Sequence, residues 1–205
     1  GLKPSYFQFE ITETVATEYS ESLSQAAAEF GDGMELVLLG EEKAIRDCAK
    51  ENKIDLAPFE ILNCTETIDM HDDPVKAVRH KKDSSLVKGL TMLKNGEADA
   101  FVSAGSTGAL LAGATLLVKR IKGIRRAALG PSVPVLGGHA TLCDCGANAE
   151  CPPEYLMQFA YMGSYYAEHV LGRPEPRVGL LNIGVEPSKG TELQRTVYPM
   201  LQKAD

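Results

Sequence analysis

The chain reads as an α/β protein built on a mostly parallel sheet with flanking helices. Three observations predict this. Short apolar runs alternate with helix-length stretches along the chain, the rhythm of right-handed strand–turn–helix units. Residues 34–39 (MELVLL) form a nearly unbroken apolar run, as in a strand covered on both faces. Glycines or helix-capping residues mark most junctions, such as Gly40, Asn95-Gly96 and Asp72-Asp73-Pro74.

Bulk properties narrow the function. With 205 residues the chain suits one domain, or the larger part of a two-lobed one. A net charge of −7 counts against non-specific nucleic-acid binding, so an acidic partner would need a local basic patch. The five cysteines are odd in number and unevenly spaced, which predicts the reduced thiols of a cytoplasmic protein. The longest apolar run, 109–118, is too short to cross a bilayer.

Residues 1–20 stay unassigned, although Phe7, Phe9 and Ile11 alternate with polar residues as in a strand. A helix is predicted over 20–30, then the strand 34–39, a helix over 41–51 and a strand over 59–62. Asp73 and Pro74 start a helix over 75–82, and Asp83-Ser84 caps the next, over 85–94. A strand over 98–103 ends in a turn of small residues, 104–108, which feeds an apolar helix over 109–121. Residues 130–138 read as a proline–glycine loop and 140–145 as a strand. A helix over 154–171 starts at Pro152-Pro153, a strand follows over 177–184, and Thr191 with Gln194 has capping-box spacing. Pro199 would kink that last helix. Because such a fold normally continues with a strand after a helix, the sheet is expected to be incomplete at Asp205.

Three predicted strand ends carry polar chemistry, and ligands of open α/β sheets bind outside such ends. The first is Ser103, Gly105, Ser106, Thr107 and Gly108. The second holds Asp144, Gly146 and Asn148, and the third Asn182, Glu186 and Lys189. Neighbouring strands would gather hydroxyls, backbone N–H groups, two amides, two carboxylates and a lysine around one cleft, suited to a phosphate group. Each loop alone is also explained as a turn needing glycine and local caps. No standard nucleotide motif is present. His139, Cys143, Cys145 and Cys151 have a spacing that would close a zinc site, but cysteines in an apolar strand are commonly small buried hydrophobes. No metal is therefore assigned. None of the four histidines has a triad context. Two basic clusters remain: Arg79 to Lys82, and Lys119, Arg120, Lys122, Arg125 and Arg126. They either complement helix C-termini or offer an anionic partner a docking strip.

In combination and order, these segments resemble the bacterial phosphate acyltransferase family of phospholipid synthesis (the PlsX family). The resemblance rests on MELVLLG at 34–40, HDDPVKAVR at 71–79, KKDSS at 81–85, VSAGSTGAL at 102–110, Asp144 with Gly146-Ala147-Asn148, and RVGLLNIG at 177–184 with Glu186, Lys189 and Glu192. It covers about residues 21–198, and 21–205 is taken as the domain. Ser106 stands where the family pattern has asparagine, and Cys145 where it has valine; the family's opening Ala-Met-Gly-Gly-Asp segment has no match in 1–20.

The resemblance implies a fold similar to phosphotransacetylases and isopropylmalate dehydrogenases, and a homodimer. It implies transfer of a fatty acyl group from acyl carrier protein to inorganic phosphate, with no cofactor, and use of the acyl phosphate by a membrane acyltransferase. Localisation would be cytoplasmic, with peripheral contact on the inner face of the membrane. Phosphate is itself the nucleophile, and a thiol of pKa about 8.5 leaves without a strong acid. Holding phosphate and stabilising the oxyanion would suffice. The expected phosphate ligands are Lys189, Arg79 or Lys82, Ser103, Ser106 and Thr107. Asn148 and Asn182 are expected to position phosphate or the thioester carbonyl, and Asp144 and Glu186 to orient those donors or act as base. The basic strip is the expected dock for acyl carrier protein. A membrane scaffold without catalysis and a dehydrogenase of related fold are the competing readings.

Overall fold

The computed structural model describes residues 6–10 and 35–204. The helix expected over 20–30 lies outside the described residues. The chain divides into two compact units, one through Lys119 and one from Arg120.

The first unit holds a four-stranded parallel sheet in the order β3-β2-β1-β4. Its strands are β1 (Tyr6–Glu10), β2 (Glu35–Gly40), β3 (Phe59–Asn63) and β4 (Ala100–Ser103). The alternation read at Phe7 and Phe9 is thus a strand, paired with both β2 and β4. Its unbroken apolar character suits β2, because both of its faces are buried. Leu38 packs with Ile45 and Cys48 of α1 (Glu42–Asn52) on one face. Val37 and Leu39 pack with Cys64 and with Met92 of α3 (Ser85–Asn95) on the other.

Helix starts follow the capping chemistry. Asp73 accepts from Lys76 N–H at 2.8 Å ahead of α2 (Pro74–His80), with Pro74 in the first turn. Ser84, fully buried, accepts from Val87 N–H ahead of α3. Helix α4 (Thr107–Gly113) joins α2 and α3 around a core of Val78, Leu86, Val87, Leu90 and Ala109. The helix expected over 109–121 begins two residues earlier and ends sooner. It widens into a π-turn over Ala114–Val118 and stops at Lys119, which turns to φ 75°.

In the second unit the loop expected over 130–138 is part of an antiparallel hairpin, β5 (Ser132–Val135) and β6 (Gly138–Thr141). Pro134 disguises β5, yet a two-stranded ribbon tolerates proline where its missing N–H faces outward. Beyond Thr141 the strand expected over 140–145 gives way to an irregular loop. The strand expected over 177–184 is absent from the described structure. Its pattern is strand-like, but it pairs with no described strand, and Leu181 and Ile183 stand 73% and 87% exposed. Helix α5 (Pro153–His169) packs with α6 (Glu192–Leu201), where Val197 is fully buried and the Thr191–Gln194 capping box is formed.

Candidate functional site

The parallel register aligns the C-terminal residues of all four strands, Glu10 with Leu39 and Ser103, and Gly40 with Asn63. From β1 the order runs outward through β2 to β3, while β4 lies on the other side of β1. The direction of winding therefore reverses between β1 and β4, the switch point where open α/β sheets place ligands. The turn after Ser103 stands at that point. Ser103 Oγ accepts from Gly105 N–H at 3.2 Å, and Ser106 Oγ from Ala109 N–H at 3.3 Å. Ser106 is thus the N-cap of α4, only 8% exposed, and the N–H groups of Thr107 and Gly108 stand at the open end of the helix.

Close approaches orient α2 against α4. A side-chain carbon at Gly108 would lie 3.0 Å from Pro74 Cγ, and one at Gly113 would lie 3.8 Å from Val78 Cγ2. The two helices therefore run side by side with their N-termini together. Arg79 and Lys82 fall toward the other end of α2, away from the turn. Lys82 Nζ donates to Val78 O at 2.9 Å, and exposed Arg79 has no ion pair among the described residues.

A polar network that sequence reading missed braces the loops after β3. Asp83 accepts from Thr65 N–H at 2.8 Å and from the Thr65 hydroxyl, and pairs with Lys88 at 2.6 Å. Lys88 also donates to Asn63 O at 2.7 Å, while Lys81 pairs with Asp72. Lys88 first, then Thr65, hold the Asp83 carboxyl well below the usual carboxylate range. Thr65 and Asp83 are far apart in sequence, so no local motif announces them. Beside them an open cleft of about 700 Å³, lined by Glu41, Lys43, Arg46, Asn63 and Thr67, sits at the ends of β2 and β3. It lies off the switch point.

In the second unit Asp144 organises its loop. Its Oδ1 accepts from Leu129 N–H at 2.7 Å, and its Oδ2 from Asn148 N–H at 2.8 Å and Asn148 Nδ2 at 3.1 Å. Partial burial works against ionisation, but these bonds and one from Ala147 N–H outweigh it and hold the carboxyl below its ordinary value. Burial, with the nearby Asp144 charge, pushes the Cys143 and Cys151 thiols up. Among the described residues no cluster of three His, Cys, Asp or Glu side chains is placed to hold a metal.

The third loop closes on itself. Asn182 Nδ2 donates to Lys189 O at 3.2 Å, and Lys189 N–H to Glu186 O at 3.0 Å. A side-chain carbon at Gly184 would lie 2.8 Å from Glu186 Oε2 and 3.1 Å from Lys189 Cγ, so both side chains fold over that glycine. In the basic strip Arg125 bonds Glu154, and Arg126 lies 5.9 Å from the centre of the Tyr155 ring. Lys119, Arg120 and Lys122 are exposed and make no ion pair among the described residues. No helix among those residues is long and apolar enough to cross a membrane.

Residues 17–205 match the family model described as fatty acid synthesis protein. The chain belongs to this family. It is 45% identical over 185 residues to a phosphate acyltransferase of Clostridium botulinum, covering 90% of this chain and 55% of that one. It is 48% identical over 170 residues to a phosphate acyltransferase of Caldicellulosiruptor bescii, covering 83% and 51%. The chain thus spans about half the length of the curated relatives it matches. In fold it is similar to a phosphotransacetylase from Staphylococcus aureus, with a TM-score of 0.66 at 19% identity, covering 98% of this chain and 64% of that one. A phosphotransacetylase from Streptococcus pyogenes gives 0.63 at 16% identity, covering 97% and 65%. These likenesses bear out the α/β fold expected from the sequence.

Proposed function

We propose that the chain serves a phosphate acyltransferase, moving a fatty acyl group from acyl carrier protein to inorganic phosphate. The observation that carries this reading is the 45–48% identity to phosphate acyltransferases over most of the chain. A phosphate oxygen attacks the thioester carbonyl carbon, the new C–O bond forms and the C–S bond breaks. Hydrogen phosphate gives up its proton and the departing thiolate takes one up, so acyl phosphate and free thiol balance without a cofactor. Acyl phosphate is a reactive mixed anhydride, suited to a membrane acyltransferase that acylates glycerol 3-phosphate.

Within the first unit, the turn from Ser103 to Gly108 is assigned to phosphate. It has two hydroxyls beyond the Ser106 cap, a helix N-terminus and the switch-point position. Arg79 and Lys82, set at the far end of α2, serve the anion less directly. Within the second unit, Lys189 is assigned to phosphate charge, Glu186 and Asp144 to positioning, and Asn182 and Asn148 to substrate contact. Lys119, Arg120 and Lys122, exposed and without an ion pair among the described residues, are the cations of the strip proposed to dock the acidic carrier. The working assembly is proposed to be a homodimer in peripheral contact with the membrane.

Acyl carrier protein thioester, phosphate and the intact protein, with hydroxylamine as trap, should yield acyl hydroxamate. Hydroxamate formation no faster with protein and phosphate together than from the thioester and hydroxylamine alone would remove the reading.

A further inference from the structure

The side chain of Asn148 has a fixed sense. Its Nδ2 donates to Ala127 O at 2.9 Å and to Asp144 Oδ2 at 3.1 Å, which uses both amide hydrogens. Exchanging oxygen and nitrogen would set an acceptor against a backbone carbonyl and a carboxylate, so the network settles the orientation. Its own N–H, also bound to Asp144, ties the backbone down at the same place. The remaining atom, Oδ1, accepts no hydrogen bond among the described residues. Asn148 therefore offers a ligand an acceptor and no donor. It cannot stabilise a thioester carbonyl or an oxyanion without breaking a bond it already has.

Its surroundings say which donor fits. The Asp144 carboxylate lies directly behind the amide and polarises it, making Oδ1 a better acceptor and the locality unfavourable for an anion. A neutral N–H suits this better than a phosphate O–H. The carrier arm that presents an acyl thioester contains amide N–H groups on the thiol side of the sulfur. We infer that Asn148 Oδ1 receives the amide N–H of the thioester's carrier arm and so recognises the leaving group, with Asp144 as its positioning residue. This rests on the acyl-transfer reading above and names the substrate part that the Asp144–Asn148 loop holds.

The test uses two thioesters of the same acyl chain with the intact protein. One carries N-acetylcysteamine, and the other carries 2-acetoxyethanethiol, in which an ester oxygen replaces the N–H. Hydroxamate formation from either that depends on both protein and phosphate supports the acyl-transfer reading; no such increment over direct hydroxylaminolysis from both removes that reading and this inference with it. The native protein should prefer the amide arm by roughly two- to tenfold in kcat/KM, the worth of one neutral hydrogen bond. In Asn148→Ala that preference should fall to about one. Asn148→Ser, whose hydroxyl can still donate to Asp144, should lose it too and keeps the test open if the alanine variant does not fold. Should turnover vanish in both variants, the same ratio is read from binding of the two thioether analogues by NMR titration. Equal rates for the two arms in the native protein overturn the inference. So does a preference that survives both variants, or one that survives while the KM for phosphate rises, which would assign Oδ1 to a phosphate O–H. A loop that merely collapsed would slow both thioesters alike and leave the ratio unchanged.

Discussion

Pro74 and Gly108 meet where two helices begin. A side-chain carbon at Gly108 would sit 3.0 Å from Pro74 Cγ, so this contact sets how close the start of α2 comes to the turn after β4. Gly108→Val should force the helices apart and cost about 1–3 kcal/mol, as overpacking does. Gly108→Ala should cost less, because alanine is the better helix former by about 1 kcal/mol. Urea unfolding of the two variants should show that order, and equal losses would argue that the contact is soft.

Ser106 both caps α4 and departs from the asparagine expected there. Serine and asparagine are comparable N-caps, whereas alanine loses the bond to Ala109 N–H. Ser106→Ala should cost about 1 kcal/mol, and Ser106→Asn should be close to neutral. A Ser106→Asn variant as unstable as Ser106→Ala would mean that the buried hydroxyl has a role beyond capping.

Asp83 gives the fold a pH dependence whose sign is fixed. Its folded-state pKa is depressed by Lys88 and Thr65. Its stabilisation is therefore present above the ordinary aspartate value of about 3.9 and is lost as pH falls through the folded value. Urea midpoints of the native protein should drop more steeply than those of Asp83→Asn between about pH 5 and about pH 3. Parallel curves would show that the carboxylate is not coupled to folding.

Gly184 lets Glu186 and Lys189 fold over the loop. Gly184→Ala should displace the lysine and raise the KM for phosphate about tenfold, the scale of a weakened charge-assisted contact. The melting temperature should move little, since the loop is exposed. Lys189→Ala should do at least as much. Unchanged phosphate dependence in both variants would take Lys189 out of the site.

In the basic strip, Arg125 and Arg126 are engaged inside the second unit, while Arg120 and Lys122 make no ion pair among the described residues. Arg120→Glu with Lys122→Glu should slow transfer from acyl carrier protein at low salt and have less effect at high salt. Arg125→Ala should alter stability more than rate. Salt-independent rates in the double variant would end the docking role.

Where local chemistry decided the outcome, the sequence was readable. The run around β2 announced a strand buried on two faces, and Asp73 with Pro74 announced a helix start that the structure places beside the turn. The turn itself was legible as small residues between a strand and a helix. Its switch-point position was not, because that depends on β1 lying between β2 and β4. The hairpin of β5 and β6 hid behind Pro134, whose cost disappears in a two-stranded ribbon. Residues 177–184 carry a strand pattern, but a strand also needs a neighbour. The sense of the Asn148 amide was invisible because it depends on the carbonyl of Ala127, outside any motif.

The pairing of β1 has a consequence for how the first unit is made. Phe7 lies against Leu36 on one side and Ala100 on the other, so β1 precedes both neighbours yet needs a residue more than ninety positions later. Closing so long a loop before its contacts reward it slows folding. On the ribosome, β1 and β2 must stay in solution, one hydrogen-bonding edge open, until β4 has been synthesised. Chaperone dependence of this unit should therefore track the β1–β4 pairing more closely than the stability of any helix.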